Sequence, residues 1–212
     1  MKKVILITIA LIIIIYAFKQ LVYKPYIWKK AMNSPEQKLQ LGSFIFSRQR
    51  GSNGSQSYQT NYFIFKVTEI NKDYVRLSVV RQLSEKDKLK SSNFSTTRQS
   101  YKDLKKNIKT ITITGILKQD LYKEGASYTL NDYLLSKYPS LRKSRYYYED
   151  IPLNKKNTAL PADAYELQDY FNLLYSREEI IAKGKLVPWR LNDNNIPELS
   201  SRLSEDIDLI LN

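Results

Sequence analysis

The sequence predicts an α+β protein: an N-terminal transmembrane helix, then a small antiparallel β-sheet or partly open barrel, then a helical C-terminal half. Three observations predict it. Residues 4–18 are apolar, without a charge or a proline. Hydrophobicity alternates with period two from residue 41, and the spacing becomes helical after residue 118. The divisions that follow are an anchor at 1–23, a juxtamembrane segment at 24–40, a β-rich domain at 41–118 and a mainly helical region packed on it at 119–212.

The anchor runs on through Leu21, Val22 and Tyr23, interrupted only by Lys19 and Gln20. Some 20 residues at ~1.5 Å rise span a hydrocarbon core of ~30 Å. A cleaved signal peptide would share the Lys2 and Lys3 leader, but Tyr16, Ala17, Phe18 and Lys19 make a poor cleavage site. The lipid bilayer is therefore the partner of residues 4–23. Lys19, Tyr23, Lys24, Tyr26, Trp28, Lys29 and Lys30 have the cationic and aromatic composition of a membrane interface. The short leader puts the domain outside the cytoplasm, whereas the lysines beyond the span argue for the inside. We give the leader more weight.

Strands come next. Phe44 and Phe46 alternate with Ser43, Ile45 and Ser47. Phe63, Phe65 and Val67 oppose Lys66 and Thr68, and Val75, Leu77 and Val79 oppose Arg76 and Ser78. These read as half-buried strands with one polar face. The turn at residues 70–74 makes the last two an antiparallel hairpin. Residues 51–57 read as a flexible loop, residues 84–108 as a polar excursion with a helical turn near 101–106, and residues 109–116 as a fourth strand.

Helices follow. Thr129 and Asp132 mark one start, and Pro139 its end. Leu167, Tyr170, Phe171 and Leu174 form one apolar helical face after Pro161. Ser176 and Glu179 form a capping box for a short helix that Gly184 closes. A final helix is expected over 197–211, with Ile196, Leu199, Leu203, Ile207 and Ile210 as its stripe.

The chain contains no Cys and no His, which removes disulfides, thiolate catalysis, Cys/His zinc sites and His-dependent triads. No phosphate-binding glycine loop is present, and no cofactor or metal is expected. Ser140 and Lys143 stand in S-x-x-K spacing without companion motifs, a match of the kind chance supplies. Asp163, Glu166 and Asp169 read as acids favouring a helix N-terminus.

The net charge is +13, unevenly spread: residues 160–212 hold 5 basic and 10 acidic side chains, leaving residues 4–159 at +16. The best binding candidate is the run Lys137, Arg142, Lys143, Arg145, Tyr146, Tyr147 and Tyr148. Cations hold anions and rings stack, so an acidic protein, an anionic polymer or a lipid surface suits it. Nucleic acid is disfavoured.

These features point to a single-pass, membrane-anchored, non-enzymatic interaction module of a bacterial envelope. The alternatives are a tethered carboxylate-dependent hydrolase and a cytoplasm-facing binder of nucleic acid or anionic lipid.

Overall fold

The computed structural model describes residues 2–52, 58–82, 95–108, 146–148, 174–194, 196–200 and 203–212. It opens on one long helical rod: α1 (Lys2–Phe18), a π-helical turn (Lys19–Tyr23) and α2 (Lys24–Met32). The rod is long and apolar enough to cross a membrane, and no residue of α1 is buried. Proline inside a helix removes one hydrogen bond and crowds the carbonyl four residues back. The π turn just before Pro25 accommodates this, because Lys24 bonds to the carbonyl of Lys19, five residues away. The juxtamembrane stretch thus begins as a continuation of the anchor helix, not as a separate connector.

Beyond a turn at residues 33–43 stand β1 (Phe44–Ser52), β2 (Tyr58–Ile70) and β3 (Tyr74–Gln82). Both adjacent pairs are antiparallel, as the alternation predicts. The hairpin closes through the bond from the Asn71 amide to the Tyr74 carbonyl. β1 remains paired out to Ser52 opposite Tyr58, so Gly51 and Ser52, expected in a loop, are strand residues; the rest of that expected loop, 53–57, lies outside the described residues. Then come α3 (Arg98–Asn107), β4 (Tyr146–Tyr148), β5 (Leu174–Ser176), α4 (Arg177–Lys183), β6 (Lys185–Leu186), β7 (Trp189–Leu191), β8 (Pro197–Leu199) and β9 (Glu205–Leu211).

The main sheet runs β4-β3-β2-β1-β9-β6, with β5 also on β3. Tyr175 of β5 bridges to Pro188, just past β6, and the Ser176 amide bonds to the Val187 carbonyl. The sheet therefore curls back and nearly closes into a barrel, which protects its edges. The barrel core joins Ile45, Phe65, Val67, Val75, Leu77, Tyr175, Ile180, Leu186, Ile207 and Ile210.

Over residues 43–47, 64–68 and 75–78 both faces of the sheet are buried. Phe44 and Phe46 are buried, and so is Ile45 between them, which was expected on the polar face and belongs to the barrel core. Phe46 meets the Tyr101 ring of α3 edge-on at 5.5 Å. Lys66, Thr68, Arg76 and Ser78, expected to face water, are buried, with Lys66 6% and Arg76 2% exposed. The two charged groups are held by ring or ion-pair contacts, since burying an uncompensated charge is costly, and the Thr68 hydroxyl donates to the Arg76 carbonyl. The Lys66 ammonium lies 4.8 Å over the Phe44 ring, and the Arg76 guanidinium pairs with Glu69 at 3.3 Å. Period two identifies which residues share a face; it does not say whether the second face is covered.

The expected C-terminal helix is overturned. Residues 197–199 and 205–211 are strands, and β9 sits between β1 and β6. The cause of the misreading is a β-bulge. The register of β9 slips at Asp208, so that Ile207 opposes Ser47 and Leu209 opposes Phe46. Ile207 and Ile210 therefore both face the core although three residues apart, a spacing that imitates a helical stripe. Leu174, expected on a helix, is a β5 residue. The helices expected from 129 and from 161, and the strand at 109–116, lie outside the described residues.

Candidate functional site

Two features combine local chemistry with a defined position: the joint between anchor and barrel, and the surface of α3.

The joint follows from the capping box. Ser176 accepts a hydrogen bond from the Glu179 amide and so starts α4, and Gly184 ends it in a left-handed conformation, φ 64°. The last carbonyls of any helix lack partners within it. In α4 the Gly184 amide bonds to the Ile180 carbonyl at 3.1 Å, and the Trp28 indole N–H adds a donor shared between the carbonyls of Ile180 at 3.0 Å and Ile181 at 3.1 Å. Trp28, Ala31 and Met32 pack into the barrel core beside Ile180. Asn212 ties the other side of the joint: its side-chain amide donates to the carbonyls of Pro35 and Lys38, and its oxygen accepts from Ser43. The end of the N-terminal rod is thus packed on the barrel through α2.

The second feature rests on α3, started by Thr97, whose hydroxyl accepts from the Ser100 amide. Tyr101 and Leu104 are buried against the sheet. Asp208, on the β9 bulge, accepts from the Tyr101 hydroxyl and the Lys105 ammonium and pairs with Arg48 at 3.4 Å. Burial alone would raise the Asp208 pKa, but Lys105, Arg48 and Tyr101 together hold it below the usual carboxylate range. Burial first, and then the Asp208 charge, push the Tyr101 hydroxyl pKa well up, so it remains a donor. This network fixes one face of α3. Beside it lies a hollow of about 460 Å³ lined by Gln99, Lys102, Asp103, Lys105, Lys106 and Leu209. Lys102 and Lys106 are exposed, one turn apart, with no acidic partner among the described residues.

Glu205 is the other group with unusual chemistry. It sits on β9 opposite Leu186, and its Oε2 is buried without a hydrogen-bond partner among the described residues, as is Nε1 of Trp189. Burial, with the neighbouring Asp206 charge, pushes the Glu205 pKa up to about 7. Nearby Tyr175 is pushed up to about 12, first by burial and then by Glu205, against the opposing charge of Arg190. A carboxyl in this state can exchange a proton near neutral pH.

Of the residues read as a membrane interface, Lys19, Tyr23, Lys24, Tyr26, Lys29 and Lys30 are exposed along the rod, while Trp28 turns into the joint. Of the binding run, Tyr146, Tyr147 and Tyr148 form β4, paired with Gln82, Arg81 and Val80. Lys137, Arg142, Lys143 and Arg145 lie outside the described residues. The sequence places Lys102, Lys105 and Lys106 within the polar excursion at 84–108 and does not single out Asp208 or Glu205. The spacing of Lys102 and Lys106 was the available signal for the groove; the partners of Asp208 required the fold.

No family model, curated protein or solved structure matches the chain.

Proposed function

We propose that this protein is a single-pass, non-enzymatic binding module of the bacterial envelope that holds an acidic protein or anionic polymer in the basic groove of α3. The observation that carries the reading is the pair Lys102 and Lys106, exposed beside the hollow while Lys105 is fixed by Asp208. Their charge is available to a partner, and the network behind them limits reorganisation on binding. The joint at Trp28 supports the same reading, because a barrel packed on its anchor presents the groove at a set angle to the membrane.

The test uses the full chain in nanodiscs and an anionic polymer such as polyphosphate. Binding should weaken as salt rises, and Lys102→Glu with Lys106→Glu should weaken it about tenfold or more at low salt. Equal binding by wild type and the double variant removes the groove from the proposal. Protease treatment of intact cells carrying a C-terminal epitope decides the side: digestion supports the outward-facing reading, and protection turns it to a cytoplasm-facing binder.

A second reading, a tethered carboxylate-dependent hydrolase, draws on Glu205, whose pKa of about 7 suits a general acid. It requires glycan turnover by the full chain that Glu205→Gln abolishes.

A further inference from the structure

We infer that the C-terminal end of α4 and the adjoining turn of α2 rest among the lipid headgroups, so that the barrel is seated on the bilayer instead of standing clear of it. This rests on the reading that residues 4–23 cross the membrane. The rod is continuous from Lys2 to Met32, so height above the hydrocarbon can be counted along it. If Tyr23 marks the boundary, Ile27 and Trp28 stand roughly 6–8 Å beyond it at ~1.5 Å per residue. The headgroup layer on each side is itself about 5–8 Å deep. Trp28 bonds the carbonyls of Ile180 and Ile181 at 3.0 and 3.1 Å, so the end of α4 lies at that same height.

The side chains at this level have the required chemistry. Ile27 is 42% exposed and Ile181 38% exposed, large apolar groups beside a joint whose inner face is already packed. Lys24, Lys29 and Lys30 are exposed around them, without acidic partners among the described residues. Apolar groups that enter the headgroup boundary, ringed by cations, are the composition of interfacial segments on anionic bilayers. The occupant is set by continuity: the membrane that holds the rod reaches this surface first.

The absence of cysteine permits a clean test. Single cysteines are introduced as Ile12→Cys, Ile181→Cys and Tyr58→Cys, and each carries an environment-sensitive fluorophore. All three sites are exposed, so folding should tolerate them; Tyr58, 81% exposed, lies at the far end of β2. The full chain is reconstituted in vesicles of equal parts phosphatidylcholine and phosphatidylglycerol, with lipids spin-labelled either at the headgroup or deep in the acyl chain. Headgroup label should quench position 181 to roughly half and leave position 58 unchanged. Deep label should quench position 12. Quenching at 12 with position 181 as bright as position 58 overturns the seating and leaves the anchor intact. No quenching at 12 overturns the anchor reading, and the seating with it. A blue-shifted probe at 181 that lipid does not quench assigns the surface to a protein partner and also overturns the proposal.

Discussion

The Trp28 ring lies against Gly184 so closely that a Cβ added to Gly184 would come within 2.8 Å of Cδ2 of the indole. Two independent constraints meet at this glycine. Its φ of 64° ends α4 in a conformation that L side chains rarely adopt, and the anchor helix occupies the space a side chain would need. Gly184→Ala should therefore destabilise the fold by roughly 2–3 kcal/mol. Thermal unfolding in detergent should show a lowered Tm and earlier proteolysis near the joint.

Trp28→Phe keeps an aromatic ring in the joint but removes the donor to the two α4 carbonyls. The expected loss is about 1 kcal/mol. Trp28→Ala also removes the packing, and should cost about 3–5 kcal/mol if the site does not collapse. Comparable Tm values for the two variants would mean that packing contributes little and the hydrogen bonds hold the joint.

Asp208 links β9, β1 and α3 through Arg48, Tyr101 and Lys105. Asp208→Asn retains the shape and removes the charge, and should cost roughly 1–2 kcal/mol after allowance for partial exposure. Its pKa is depressed in the folded state, so its contribution is present above the ordinary carboxylate pKa and is lost as pH falls through the folded value. Denaturant midpoints of wild type and variant should converge in acid.

Glu205 acts in the opposite sense. Its folded pKa of about 7 stands above the ordinary 4.5, so the folded state retains a proton that the unfolded state has released. Stability should decline as pH rises from about 4.5 through 7, and Glu205→Gln should flatten that decline. A steeper loss in the variant would show that another group sets the slope.

Ser176→Ala removes the side-chain acceptor that starts α4, at an expected cost of about 1 kcal/mol. Because α4 carries the carbonyls that Trp28 caps, the effect should be smaller in Trp28→Phe than in wild type, a coupling that a double-mutant cycle measures.

How much was legible differs by element. The rod, the β2–β3 hairpin and the α4 capping box depend on neighbours within a few residues, and each was readable from local pattern: an unbroken apolar run, an alternation with a turn, and Ser176, Glu179 and Gly184 in fixed order. The candidate site was less legible. Lys102 and Lys106 showed their spacing, but nothing local marked Asp208 as the group that anchors their helix, since its partners Arg48 and Lys105 are distant in the chain.

The sequence by itself determined an apolar rod followed by paired strands, because periodicity and turn chemistry are short-range properties. Only the tertiary structure decided that residues 205–211 form a bulged strand, that Lys66 and Arg76 lie inside, and that Trp28 belongs to the barrel. The physical reason is the same in each case. A spacing of three between Ile207 and Ile210 satisfies a helix or a bulge equally well, and a polar face is solvated or covered according to what packs on it. Those choices are made by contacts across the chain: Ser47 opposite Ile207, the Phe44 ring beneath Lys66, and Gly184 leaving room for an indole carried by the N-terminal rod.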